Sequence, residues 1–205
     1  MLSKLVKSSK LYLTAAALTV LTACSSSGLE EVDFDNLTKE EREAKLLSLN
    51  ELEENGKVGF MAVLSGQRFS VDFNYHYKHE DFSLEFTGPM GMQYAKVDVM
   101  SDGETLLKVR SEEFFGNNPR ELLKREFGFD VPVADLRKIM LGMPEGEKIY
   151  DGKGYVTSCN FDDEYIVRYK QYKTFRGGYT LPTDIEISTA FSKIRIKVNN
   201  VVRIN

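Results

Sequence analysis

The chain has 205 residues, a formal net charge of −4 and 42% hydrophobic residues. This length suffices for one domain with a hydrophobic core and does not require a second. The excess of acids excludes the basic footprint of a nucleic-acid-binding protein, so we expect no nucleic-acid partner.

The first 24 residues have the pattern of a bacterial lipoprotein signal. Lys4, Lys7 and Lys10 precede an apolar run at residues 11–21, which has signal-peptide length and is too short to cross a bilayer. The run continues through Thr22 and Ala23 to Cys24, an ending that resembles the lipobox, whose cysteine becomes the acylated first residue of the mature protein. We predict a signal peptide at residues 1–23 and stable anchoring through the acyl chains on Cys24. An ordinary secretory signal followed by a chance cysteine is the alternative.

A tether and a helix are predicted next. Residues 24–36 mix serine, glycine and acids without periodicity, which is typical of a flexible tether. Thr38 and Glu41 form a capping-box pattern, and the Glu-, Lys- and Leu-rich sequence up to Asn55 and Gly56 predicts a helix. We assign residues 37–205 to one domain.

Alternating apolar and polar residues predict a meander of about five strands. The alternation is clearest at Arg68–Lys78, where Phe69, Val71, Phe73, Tyr75 and Tyr77 share one face. The other predicted strands are residues 58–64, 82–86, 94–100 and 105–110.

The turn Gly88-Pro89-Met90-Gly91 is unusual because it carries a methionine where a turn between amphipathic strands is normally polar. Two interpretations stay open. Met90 tucks back into the core, or it forms an exposed apolar tip that touches acyl chains or a membrane.

The second half of the chain predicts two short helices and more strands. Asn118 and Pro119 begin a helix that ends at Gly128, and a second helix follows from Val133 to Gly142. Alternation returns from residue 148 to the end and predicts five or six strands. The fold is therefore mainly β (α+β), with about 10–11 antiparallel strands that must close into a barrel or curl around something, the helices being its filling or lid.

Patterns for catalysis are absent from the sequence. His76 and His79 are the only histidines, and their spacing beside a strand does not put both on one face. There is neither a G-x-S-x-G elbow nor a P-loop, and the acids at residues 162–164 fall in a predicted turn. Cys159 has no second thiol to pair with once Cys24 is lipidated. We expect no enzyme activity, no metal and no cofactor.

Two segments of the sequence match a known pattern: residues 82–91, which end in the Pro-Met-Gly turn, and residues 131–144, which hold the second predicted helix. Both segments resemble the LolB family of outer-membrane lipoprotein receptors. The family's usual forms are a leucine-rich strand ending in Asn-Pro-Leu-Gly and the motif Pro-Leu-x-x-Leu-Arg-x-Trp-x-Leu-Gly-x-Pro. Here Gly88 replaces the asparagine, Met90 the leucine and Ile139 the tryptophan, and the resemblance covers essentially the whole mature chain.

The resemblance implies an incomplete antiparallel barrel with short helices as a lid over a hydrophobic cavity. It also implies a monomeric receptor, anchored in the outer membrane and facing the periplasm, that accepts acylated lipoprotein cargo from the carrier LolA and inserts it into outer-membrane lipid. A residue other than aspartate at Ser25 agrees with this location. The turn Pro89, Met90 and Gly91 would assist insertion. The candidate cavity residues are Phe73, Tyr75, Phe86, Leu136, Ile139 and Met140.

Two rival interpretations remain. A lipoprotein of the same fold could bind another apolar ligand or lipid, and a structural lipoprotein would have a filled barrel without an accessible cavity.

Overall fold

A single curled antiparallel sheet dominates the computed structural model, which describes residues 33–161 and 164–205. Its eleven strands are β1 (Glu51–Ala62), β2 (Arg68–Lys78), β3 (Asp81–Thr87), β4 (Gln93–Val99), β5 (Thr105–Val109), β6 (Glu112–Gly116), β7 (Glu147–Tyr150), β8 (Val156–Phe161), β9 (Tyr165–Thr174), β10 (Thr180–Thr189) and β11 (Ser192–Ile204). The order is β6-β5-β4-β3-β2-β1-β11-β10-β9-β8-β7, so β6 and β7 are edges and the barrel is incomplete. The prediction of a mainly β, unclosed barrel is confirmed.

Within the described residues three short helices accompany the sheet: α1 (Lys39–Leu47), α2 (Pro119–Phe127) and α3 (Leu136–Met140). The predicted capping box of α1 is present, with Thr38 Oγ1 accepting from the Glu41 backbone N–H at 3.2 Å. Asn118 caps α2 in the same way, and Gly128 ends it with φ of 73°. Short 3₁₀ turns lie at Phe34–Asn36, Pro89–Gly91, Val133–Asp135 and Arg176–Gly178. None of the described helices is long and apolar enough to cross a membrane.

The first predicted helix is too long. Helix α1 ends at Leu47 rather than near Asn55, and β1 already begins at Glu51. Residues 51–61 pair with β2 over their whole length, and residues from Leu52 onward also pair with β11. Two ladders of backbone hydrogen bonds and burial of Leu52 therefore outweigh the local helical preference of this Glu-rich segment.

The total number of strands agrees with the prediction, but their distribution before and after the helices differs from it. Six strands rather than five precede α2, because the edge strand β6 follows β5 after a two-residue turn at Arg110 and Ser111. Five strands follow α3. Residues 34–36, assigned above to the tether, form a 3₁₀ turn in which Phe34 is buried against Tyr179, with ring centroids 5.3 Å apart. The rest of the domain division stays a prediction.

The helices lie against the concave face of the sheet. Leu122 and Leu123 of α2 and Leu136 of α3 belong to the same buried core as the inward side chains of the strands. The Tyr169 hydroxyl on β9 donates to the Ile139 carbonyl at 3.0 Å, which ties α3 to the sheet. This arrangement leaves a space between the sheet and the helices.

Candidate functional site

A cavity of about 670 Å³ lies between the concave face and the helices. Small-molecule pockets have volumes of about 300–1,000 Å³, so this space is of ligand size. Its lining is mainly aliphatic and aromatic: Val58, Phe60, Phe69, Val71, Phe73, Tyr75, Leu84, Phe86, Pro89, Tyr94, Ala95, Val109, Leu123, Phe127, Phe129, Val131, Leu136, Met140, Ile187, Ile194 and Ile196. A lining of this kind binds apolar groups by nondirectional burial.

The cavity opens at one end of the sheet. Its polar lining residues are Ser70 at the start of β2 and the β5–β6 turn with Arg110, Ser111 and Glu112. Because the strands are antiparallel, the β1–β2, β3–β4, β5–β6 and β10–β11 turns all lie at this end, which we call the mouth end. The opposite end carries the β2–β3, β4–β5, β7–β8 and β9–β10 turns together with Asn205, and we call it the terminal end.

Aromatic rings form the wall near the mouth. Phe60 stacks on Phe69 with centroids 4.8 Å apart, and it also contacts Phe86 at 5.9 Å. Phe129, in the link between α2 and α3, contacts Phe60 at 5.3 Å and Phe69 at 5.0 Å. At this point the helical link is joined to the sheet by ring contacts.

Five of the six predicted cavity residues line this space. Phe73, Tyr75, Phe86, Leu136 and Met140 face it, and their role in binding acyl chains stays a prediction.

Ile139 is not among the lining residues. It is fully buried in the core, and its backbone carbonyl accepts the hydrogen bond from the Tyr169 hydroxyl. Helical spacing puts Leu136, Ile139 and Met140 on one buried stripe of α3, as predicted, but only Leu136 and Met140 of this stripe reach the cavity.

Several lining residues were not singled out from the sequence. Phe60 and Phe69 extend the alternation of β1 and β2 toward the mouth, so the strand pattern contains a signal for them. Phe127 and Phe129 lie in and after α2. No local pattern distinguishes these two from ordinary core residues.

The Pro89–Gly91 turn stands at the mouth. Met90 is 94% exposed and has φ of 64°, so the interpretation in which it tucks into the core is wrong. Pro89 lines the cavity itself. The turn therefore places an exposed apolar side chain directly beside the cavity.

An ion pair holds the helical segment in place. Arg120 of α2 binds the Asp130 carboxylate through Nε at 2.6 Å and Nη2 at 3.1 Å, and it also contacts Glu164 at 2.5 Å. The Asp130 backbone N–H donates to Ser192 Oγ at 2.9 Å. These contacts fix the link between α2 and α3 to the start of β11.

A buried polar group lies beside the cavity. Glu54 of β1 is fully buried opposite Tyr75, and neither its carboxylate oxygens nor the Tyr75 hydroxyl bond to any described residue. Burial raises the pKa of Glu54 to about 8, so this side chain is neutral at pH 7. Burial, reinforced by Glu54, also raises the pKa of Tyr75.

The remaining predicted residues are placed as follows. Cys24, the signal peptide and most of the tether lie outside the described residues. His76 contacts the Glu51 carboxylate at 3.0 Å. No group of three or more His, Cys, Asp or Glu that could hold a metal is found in residues 33–161 and 164–205.

Comparisons with known proteins agree with the resemblance. Outer-membrane lipoprotein LolB of Klebsiella pneumoniae is 24% identical over 197 residues, covering 88% of this chain and 92% of that protein. Among solved structures, a DUF1329 family protein from Desulfovibrio piger has a TM-score of 0.51 at 10% identity, covering 78% of this chain and 88% of that one, which shows a shared fold. The family model described as outer membrane lipoprotein LolB matches residues 51–200. The chain therefore belongs to the LolB family of outer-membrane lipoproteins.

Proposed function

We propose that the protein is a lipid-anchored receptor on the periplasmic side of the outer membrane. It takes the acyl chains of lipoproteins from the carrier LolA into its cavity and passes them to the membrane. The observation that carries this proposal is a ligand-sized apolar cavity that opens beside an exposed apolar turn. A structural lipoprotein with a filled barrel is contradicted by the same cavity.

The energetics of transfer favour such a design. Each methylene contributes about 0.8 kcal/mol on leaving water, but it gains almost nothing on moving between two apolar sites. Transfer from carrier to cavity to bilayer is therefore nearly neutral per methylene and needs no nucleotide hydrolysis. Direction follows if the cavity binds acyl chains more tightly than the carrier and less tightly than the membrane.

The Met90 turn supplies the last step in this proposal. An exposed methionine, flexible and polarisable, enters lipid at little cost and brings the mouth of the cavity to the bilayer. Pro89 then offers an apolar surface along which an acyl chain leaves the cavity.

A transfer assay tests the proposal. The carrier loaded with a labelled lipoprotein is mixed with this chain starting at Ser25, which retains every buried core residue from Phe34 to Ile204. We expect the label to move to this protein. Val109→Trp, which fills the cavity from β5, should block uptake, whereas Lys108→Trp, on the other face of the same strand, should not.

Met90→Glu separates receipt from delivery. The variant should fold and accept the label normally but deliver it poorly to vesicles, because a charge replaces the inserting side chain. Wild-type delivery by this variant would contradict the role of the turn. Retention of the label by the carrier, with uptake of free lipid by this protein, would favour the rival lipid-binding function.

A further inference from the structure

Met90 is not the only exposed apolar side chain at the mouth end. The β1–β2 tip (residues 63–69) presents Leu64 with 87% of its surface exposed, and the β10–β11 tip (residues 189–193) presents Phe191 with 45% exposed. The β3–β4 tip (residues 88–94) contributes Met90 and the half-exposed Met92. Three hairpin tips at one end thus offer apolar side chains to solvent, which marks an interaction site.

The tips are adjacent in space. Strand β1 lies between β2 and β11, and the Val63 backbone N–H donates to the Phe191 carbonyl at 2.8 Å. Strands β2 and β3 are neighbours, so the β3–β4 tip follows on the other side of the β1–β2 tip. The exposed side chains therefore form one row along the rim of the sheet.

The charge of this row contrasts with that of the chain. The three tips contain Arg68 and Lys193 but no aspartate or glutamate, although acids outnumber bases in the sequence as a whole. Within the described residues neither cation has an ion-pair partner. Lys124 adds a third positive charge, with its Nζ 4.4 Å from the centre of the Phe191 ring.

We infer that the three tips form one membrane platform, in which Leu64 and Phe191 enter lipid beside Met90 while Arg68 and Lys193 bind the phosphates of anionic phospholipids. The inference extends the proposed function, on which it rests for the orientation of the mouth. Apolar side chains at separate tips, with cations between them and no acid, suit a fluid planar surface, where each tip can enter independently. Beyond the β10–β11 tip, toward the β8–β9 end of the row, lies Glu164, whose charge is paired with Arg120.

Vesicle binding by the chain starting at Ser25 tests the platform without the lipid anchor. Vesicles are made of phosphatidylethanolamine with or without phosphatidylglycerol, and binding is measured by co-sedimentation. Leu64→Glu and Phe191→Glu should each weaken binding about tenfold or more, as expected from losing one buried apolar side chain. Arg68→Ala and Lys193→Ala should each weaken binding about fivefold, only when phosphatidylglycerol is present.

Matched controls come from the terminal end. Met100 and Phe115 are 43% and 72% exposed at that end of the sheet. Met100→Glu and Phe115→Glu therefore make the same chemical change far from the three tips and should leave vesicle binding unchanged. Phe191→Ser serves as a second variant if Phe191→Glu does not fold. The platform is overturned if folded Leu64 and Phe191 variants bind vesicles as the wild type does. It is also overturned if these variants lose binding to the carrier but keep vesicle binding, because the row would then bind a protein partner.

The same variants keep the two proposals apart. Neither Leu64 nor Phe191 lines the cavity. Leu64→Glu and Phe191→Glu should therefore take up labelled lipoprotein as the wild type does. Failure of uptake by the wild-type chain would remove the proposed function, while the vesicle measurement would still decide on the platform.

Discussion

The two ends of the sheet differ in chemistry. The β1–β2, β3–β4 and β10–β11 tips at the mouth end carry exposed apolar side chains and no acid, whereas the terminal end holds a network of ion pairs and hydrogen bonds around Glu51. Glu51 there accepts from Arg203 at 2.8 Å, His76 at 3.0 Å and Asn205 at 3.3 Å, and the hydrogen bonds from Arg203 and His76 lower its pKa to about 2. These hydrogen bonds at the terminal end join the last strand to the first. Changes near the terminal end should therefore affect unfolding, and changes at the mouth should affect binding.

The largest effect on stability is expected at Glu54, in the half of β1 nearer the terminal end. Its folded pKa of about 8 exceeds the usual 4.5, so as pH rises from 4 to 8 the unfolded chain loses a proton that the folded protein retains. Stability should fall by roughly 5 kcal/mol over this interval and level off above pH 8. Glu54→Gln should abolish this dependence, as measured by urea unfolding at several pH values.

The neighbouring residue supplies the control. Glu53 points to the opposite face and accepts from the Asn74 amide at 3.2 Å, so Glu53→Gln should keep the wild-type pH profile. A Glu54→Gln protein whose unfolding free energy follows the wild type from pH 4 to 8 would show that Glu54 is solvated.

The second largest effect is expected at Gly56, also in β1. A Cβ there would lie 2.0 Å from the Lys197 carbonyl oxygen, which is backbone of β11 and cannot move aside. Gly56→Ala should lower the unfolding free energy by about 3 kcal/mol. Gly59→Ala on the same strand meets nothing within 4 Å and should be tolerated. Equal effects of the two changes in denaturant titrations would contradict this account.

The sequence predicts the repeating parts of this molecule well. Alternation predicts β2 to β5 and the return of strands near residue 148, but not the edge strand β6, and capping patterns predict both ends of α2. These signals depend on neighbours in the chain. The local sequence from Glu51 to Gly56 favours a helix, whereas its strand pairing with β2 and β11 involves residues far away in sequence. The buried Glu54 follows from that pairing and has no local signal.

The candidate site divides in the same way. The Pro-Met-Gly turn is visible in the sequence, since a methionine in a turn conflicts with the polar norm. The cavity is not, because a residue that lines a space and one that packs into a core follow the same periodicity, as Leu136 and Ile139 of α3 show. The row of tips needs the strand order, which alone brings Leu64 next to Phe191.

A smaller effect is expected at Arg120, which connects the helical segment to the mouth end. Arg120→Ala leaves the buried Asp130 carboxylate without its bidentate partner. Because the Arg120 side chain is itself partly exposed, water can take its place, so we expect the unfolding free energy to fall by about 2 kcal/mol. Glu164→Gln removes only the exposed partner of Arg120 and should cost less than about 1 kcal/mol. Thermal unfolding of both variants measures the two losses of stability. A larger loss for Glu164→Gln than for Arg120→Ala would contradict this account.

The smallest effect is expected at Gly88, beside the exposed Met90 turn. A Cβ there would lie 1.9 Å from the Tyr94 ring, but this ring is 37% exposed and can swing toward solvent, unlike the backbone that faces Gly56. Gly88→Ala should therefore cost about 1 kcal/mol or less. In a Tyr94→Ala background the cost should vanish, which a double-mutant cycle measures. An unchanged cost in that background would mean that the backbone of the mouth is as rigid as that of β1, and the contrast between the two ends would then be one of charge alone.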